Sequence, residues 1–155
     1  MTDSSAAQTL DPYPQTGWVV IVNGSLMMWK SKKRRLVARS SAKGELLAMV
    51  NGVYYVEYVR NYLDTVFGNV EVNLYTDAAD VVAEIKKDHP RPIEKAALNI
   101  IHKLKDTACV VNVLALRDQE QEKKVKVQHI DTKLNVADCL TKPMTTQAIR
   151  KFMRV

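Results

Sequence analysis

The sequence predicts an α/β domain, a mixed β-sheet with helices packed against it. Three observations carry this expectation. The N-terminal third is rich in β-branched and aromatic residues folded about an Asn23-Gly24 pair. A long run of apolar residues at helical spacing follows it. Shorter strand-like and helix-like segments then alternate to the C-terminus, and that order suits a mixed sheet better than an all-β or all-α arrangement. With 155 residues, 46% of them hydrophobic, the chain can bury roughly 70% of its unfolded surface around one core. Residues 1–155 are therefore expected to form a single domain.

Taken in order, residues 3–16 are polar and carry Pro12 and Pro14, and 1–16 are expected to be mostly loop with a short first strand. Residues 18–22 read as a strand, Asn23-Gly24 as a two-residue hairpin, and 26–30 as the returning strand. A third short strand is expected at 36–39. Ser40-Ser41 then offers a helix N-cap. Leu46, Met49, Val50, Val53, Val56 and Leu63 recur at helical spacing up to about Asp64, despite the helix-weakening Gly44 and Gly52. Gly68 closes the segment. Residues 70–76 alternate as a strand that ends at Asp77, and 78–86 read as a short helix. The Pro-rich run 88–92 breaks it, with Pro92 suited to the start of a further helix carrying Ile93, Ala97, Ile100, Ile101 and Leu104. Residues 109–116 are open: Val110, Val111 and Val113 favour a strand, whereas the polar tract 117–124 could prolong a helix through them. Alternation over 123–130 predicts a strand, 131–135 a loop, and 136–140 the start of a short helix. Residues 144–155 are a tail or one more helix.

Composition excludes several classes. The longest uncharged apolar runs, 17–22 and 108–116, fall well short of the ~20 residues of a membrane helix. The opening Met1-Thr2-Asp3-Ser4 has neither the basic nor the apolar region of a secretory signal. Cys109 and Cys139 alone fit neither a zinc site nor a disulfide framework. A soluble, reduced, intracellular protein is expected. Lys plus Arg outnumber Asp plus Glu by 23 to 17, giving net +6, which is compatible with a polyanionic partner. Six of these cations, Lys30, Lys32, Lys33, Arg34, Arg35 and Arg39, fall within ten positions. They read equally as a solvated strand edge or as a phosphate-backbone contact.

Four carboxylates occupy places from which side chains reach a cleft: Asp3 before the first loop, Glu45 in the first turn of the long helix, Asp77 at the end of a strand, and Asp138 at the start of a terminal helix. Two-metal phosphodiester cleavage needs such convergence, because hard oxygen ligands must hold two Mg²⁺ ions about 4 Å apart. Each also has an ordinary alternative. Glu45 could compensate a helix dipole, and Asp77 and Asp138 could be helix N-caps or first-turn acids.

Three segments narrow the choice. Ser40-Ser41-Ala42-Lys43-Gly44-Glu45, Leu74-Tyr75-Thr76-Asp77 and Asn135-Val136-Ala137-Asp138-Cys139-Leu140-Thr141-Lys142-Pro143 resemble, in this order, the ribonuclease H domain of copia-type LTR retrotransposon Pol polyproteins. The runs Gly17-Trp18-Val19-Val20 and Trp29-Lys30-Ser31-Lys32-Lys33 are similar to its second and third strands, so the resemblance covers nearly the whole chain. It implies a ribonuclease-H-like fold, a five-stranded mixed sheet flanked by α-helices whose central strand carries the first metal-binding Asp. Carried over, the four acids are Asp3, Glu45, Asp77 and Asp138. The resemblance further implies hydrolysis of the RNA strand of an RNA–DNA hybrid during reverse transcription. It implies two Mg²⁺ ions, for which Mn²⁺ can substitute, and recognition of the hybrid through backbone and 2′-OH contacts without base readout. The clustered charge of Lys30, Lys32, Lys33, Arg34, Arg35 and Arg39 makes that run the expected place of contact. The partner domain would be the reverse transcriptase of the same polyprotein, in the cytoplasm, a virus-like particle or the nucleus. Residues 116–135 further resemble the corresponding stretch of yeast copia-type elements, which would make 109–116 helical rather than extended, and both conformations stay open there.

A different class of function stays open beside it, a catalytically weak or inactive ribonuclease-H-like connector next to a reverse transcriptase. His129 lies nine residues before Asp138, near where cellular ribonucleases H carry a mobile histidine that assists product release. Its alternation with Val125 and Val127 favours an ordinary sheet histidine. Tyr54, Tyr55, Tyr58 and Tyr62, at near-helical spacing, are expected to be core and rim residues or a partner-domain contact.

Overall fold

The computed structural model describes residues 1–5, 13–34, 41–87 and 107–152. Asn23 and Gly24, with φ of 49° and 78°, adopt the left-handed backbone that a tight two-residue hairpin needs. They join strands β2 (Gln15–Val22) and β3 (Ser25–Lys33). The first strand, β1 (Thr2–Ser5), is short and runs antiparallel to β2 with Asp3 opposite Gly17. The order is β1-β2-β3. Strands β4 (Asn73–Thr76) and β5 (Lys126–His129) form a separate parallel pair.

The single five-stranded sheet implied by the resemblance is thus divided in two. β1 still lies beside β4, but the link is a side chain: Thr2 Oγ1 donates to the Tyr75 carbonyl at 3.3 Å. The division falls at the shortest element of the three-stranded sheet, since a four-residue β1 offers few ladder positions on the edge that faces β4.

Helix α1 (Ser41–Phe67) crosses β1 and β2. Its two glycines sit where it meets β1. A Cβ on Gly44 would lie 3.2 Å from Ser4 Cβ, and one on Gly52 would lie 2.8 Å from Thr2 Cγ2. Close approach to the strand thus accounts for two residues that weaken the helix intrinsically. Helix α2 (Ala79–Lys86) follows β4, and helix α3 (Thr107–Gln121) settles the open stretch 109–116 as helical. β-Branched propensity loses there to burial: Val110, Val113 and Leu116 pack with Leu46, Met49 and Val53 of α1, Val81, Val82 and Ile85 of α2, and Leu74 and Val127 of the parallel strands. The buried Arg117 donates to the carbonyls of Glu84 (2.8 Å) and Ile85 (3.3 Å), satisfying the end of α2.

The expected loop at 131–135 contains a 3₁₀ turn (Thr132–Leu134), and the expected helix start is a second one (Val136–Leu140) capped by Asn135. Helix α4 (Thr146–Phe152) follows. The third short strand expected at 36–39 and the helix expected after Pro92, with His89 and His102, lie outside the described residues. Of the tyrosines, Tyr55 stacks on Trp18 at 4.5 Å, whereas Tyr54, Tyr58 and Tyr62 are exposed rather than core. Among the described residues, no helix is long and apolar enough to cross a membrane.

Candidate active site

Asp3, Asp77 and Asp138 converge. One carboxylate oxygen from each lies within 4.8 Å of the others. Three different elements deliver them. Asp3 sits in β1 and is 1% exposed, Asp77 directly follows β4, and Asp138 lies in the second 3₁₀ turn. The N-cap alternatives fail on local structure, although Asp138 does lie in the first turn of its 3₁₀ segment. Ala78 holds the N-cap position of α2, and Asn135 caps the turn of Asp138 through Ala137 N (3.3 Å). Glu45 lies in the second turn of α1, not in the first, so dipole compensation does not explain it either.

Glu45 is buried, and its Oε1 accepts a 3.0 Å hydrogen bond from the Ser4 amide, next to Asp3. Burial pushes its carboxyl up to about 8, helped by the nearby charges of Asp3 and Asp77 and opposed by the Ser4 amide and Lys142. Asp138 is raised to about 6, first by burial and then by Asp3, with Lys142 opposing. Lys142 Nζ stands 3.2 Å from Asp138 Oδ2 and 3.6 Å from Asp3 Oδ1. Burial alone would lower its pKa, but the carboxylates of Asp3, Asp138 and Asp77 raise it.

The residues around the cluster are as specific as the acids. Thr141 Oγ1 donates to Asp3 Oδ2. Asn135 Nδ2 donates to the Thr2 carbonyl at 3.0 Å, joining the Asp138 turn to β1. Gly17 permits that approach, because a Cβ there would lie 2.8 Å from Leu140 Cβ and 2.9 Å from Thr141 Cγ2. Sequence reasoning gave none of these a role. Thr141 and Lys142 stood within the quoted Asp-Cys-Leu-Thr-Lys-Pro segment, the one signal that could have found them.

The donor set suits a hard divalent cation: all ligand atoms are carboxylate oxygens, and Glu45 Oε2 and Asp138 Oδ1 are buried without hydrogen-bond partners. His129 ends β5, exposed, opposite Thr76. Of the basic cluster, Lys30, Lys32, Lys33 and Arg34 line an open groove with Thr16, Trp18, Asn51 and Tyr55. Lys30 Nζ donates to the Tyr55 hydroxyl at 2.7 Å. Arg35 and Arg39 lie outside the described residues.

Comparison with solved structures bears on this arrangement. The chain superposes on the N-terminal RNase H domain of rv2228c from Mycobacterium tuberculosis with a TM-score of 0.57 at 15% identity, covering 99% of this chain and 93% of that one. Its fold is that of ribonuclease H. LC11-RNase H1, solved in complex with an RNA/DNA hybrid, matches with a TM-score of 0.52 at 18% identity over 98% of this chain and 96% of that one. In sequence, the chain with the ribonuclease H fold is similar to copia/Ty1-type Pol polyproteins. It is 26% identical over 155 residues to the retrovirus-related Pol polyprotein from transposon RE2 of Arabidopsis thaliana, covering 99% of this chain and 10% of that protein. It is 24% identical to the truncated transposon Ty1-A Gag-Pol polyprotein of Saccharomyces cerevisiae, covering 95% of this chain and 12% of that protein. The chain thus spans about a tenth of the length of these relatives. No protein-family profile matches it.

Proposed function

We propose that this chain is the ribonuclease H domain of a retrotransposon Pol polyprotein and that it hydrolyses the RNA strand of RNA–DNA hybrids. The observation that carries the reading is the convergence of Asp3, Asp77 and Asp138 within 4.8 Å, beside the buried Glu45. A purely structural role gives no reason to gather four carboxylates in one place, where they repel one another. Asp3, Asp77 and Glu45 would hold one Mg²⁺ and Asp3 and Asp138 a second, Mn²⁺ being able to substitute. When bound, the ions supply an activated water and neutralise the charge that develops on the phosphate.

The chain's own residues do the rest. Glu45 is fixed through Oε1 by Ser4, which leaves Oε2 to orient the incoming water. Thr141 holds Asp3 in place. The groove of Lys30, Lys32, Lys33 and Arg34 receives backbone phosphates, with Arg35 and Arg39 continuing the same basic run. Recognition of the hybrid through phosphates and 2′-OH groups needs no base readout. The hybrid-bound LC11-RNase H1 supports this choice of substrate, and the Pol relatives support a reverse transcriptase as partner domain.

The test is cleavage of a labelled RNA–DNA hybrid with and without Mg²⁺ or Mn²⁺, beside RNA-duplex and DNA-duplex controls. Metal-dependent loss of the hybrid's RNA strand is expected, abolished in a folded Asp77→Asn variant. Cleavage by that variant at the parent rate would overturn the site assignment. A folded parent that cuts nothing would instead favour the connector reading.

A further inference from the structure

We infer that Lys142 is a tethered counter-ion that occupies one cation position of the carboxylate cluster and must leave it before the second divalent ion binds. This rests on the proposed metal-dependent function and concerns how the site is loaded.

The ammonium is placed where a bridging cation belongs. Its Nζ is 3.2 Å from Asp138 Oδ2 and 3.6 Å from Asp3 Oδ1, so one positive charge spans two carboxylates from different elements. The placement is built into the backbone. Lys142 follows Asp138 by four residues, its amide donates to the Asp138 carbonyl at 3.0 Å, and Thr141 between them is fixed to Asp3 and to the Asp138 carbonyl. Pro143 restricts Lys142 to extended conformations, which limits how its stem can leave the turn.

The lysine and its partners differ in one decisive respect. Asp3 and Asp138 are 1% and 9% exposed as side chains, whereas Lys142 is 40% exposed. The acids are fixed, and the ammonium sits at the mouth on a flexible four-carbon stem. It can therefore hold the acids together before metal arrives and swing into solvent when metal does. Among the described residues, Lys142 forms ion pairs with Asp138 and Asp3 but not with Asp77, so the two cation positions are unequal. The position shared by Asp3, Asp77 and Glu45 fills first, and that shared by Asp3 and Asp138 fills against competition from the chain itself.

The experiment is Mn²⁺ binding by calorimetry, without nucleic acid, to the parent, Lys142→Met and Lys142→Gln. Melting in EDTA is measured alongside. The parent is expected to bind two ions unequally. Both variants are expected to bind the weaker ion about tenfold more tightly while melting earlier without metal. A purely structural lysine would give the opposite sign, weaker binding on removal. Variant affinities equal to or below the parent's overturn the inference and leave the metal reading intact. Absence of Mn²⁺ binding in the parent overturns both. Should the variants not fold without metal, the parent suffices: the Lys142 side-chain NMR resonances are expected to shift from ion-paired to free positions as the second equivalent of Mg²⁺ is added. Resonances that stay unchanged through saturation overturn the inference.

Discussion

The amide of Ser4 donates to Oε1 of Glu45 at 3.0 Å, tying the second turn of α1 to the strand that carries Asp3. One hydrogen bond thus sets the relation between two acids 42 positions apart in the chain. It also costs Glu45 little freedom to act, since Oε2 is left over.

Thr141→Val removes the hydroxyl that Asp3 accepts from, leaving a carboxylate that is 1% exposed without that donor. The expected loss is about 1–3 kcal/mol in urea unfolding, the usual range when a buried polar group loses its partner. Thr141→Ser, which keeps the hydroxyl, should recover most of it.

Stability should depend on pH with a definite sign. Folding raises the Glu45 carboxyl from 4.5 to about 8 and Asp138 from 3.8 to about 6. A group raised in this way stabilises the fold fully below its unfolded pKa, and that contribution is lost as pH climbs through the folded one. The metal-free chain should therefore melt progressively earlier between about pH 5 and pH 8. Glu45→Gln should flatten much of the slope, and added Mn²⁺ should stabilise more at the upper end. Melting curves in EDTA that are independent of pH would contradict this.

Gly17→Ala should be disproportionately harmful for a single methyl. The new Cβ would lie 2.8 Å from Leu140 Cβ, so the turn bearing Asp138 must move away from β2. A loss of about 2–3 kcal/mol is expected, as for other overpacked sites, together with a fall in hybrid cleavage beyond that explained by unfolding. Urea titration and cleavage rates on the folded fraction separate the two.

Lys32→Ala and Lys33→Ala should weaken hybrid binding without altering the fold. Each is expected to lower the slope of log affinity against log salt by about 1 if the lysine neutralises one phosphate. Filter binding across a salt series checks this, and unchanged slopes would exclude the groove as the hybrid surface. Lys30 should behave differently, because its ammonium is bonded to the Tyr55 hydroxyl at 2.7 Å and lies 4.8 Å from that ring's centroid.

The fold was legible where local chemistry and burial agree. Asn23-Gly24 has few alternatives to a hairpin, and the α1 stripe through Leu46, Met49 and Val53 does face the core. Legibility failed where a tertiary neighbour decides. Val110, Val111 and Val113 favour a strand by propensity, yet α1 and α2 bury a helix there. Thr2–Ser5 has no strand pattern of its own, so its short strand was expected from the resemblance alone, and it forms against β2. The Tyr54, Tyr58 and Tyr62 repeat has helical spacing but faces solvent, which periodicity alone cannot distinguish from a buried stripe. For the candidate site, the strand end before Asp77 was readable from alternation. The contacts of Thr141, Lys142 and Asn135 were not, because they join residues more than 130 positions apart or depend on a turn's geometry.

The seam between β1 and β4 has a mechanical meaning. Asp3 belongs to the antiparallel sheet and Asp77 follows a strand of the parallel pair, and Thr2 to Tyr75 is a side-chain rivet where a ladder would otherwise run. An ion gripped by both acids would staple one half of the molecule to the other. Loading the site would then slow amide exchange across the whole seam, from Val19 to Val127, and metal would serve the domain as mortar as well as reagent.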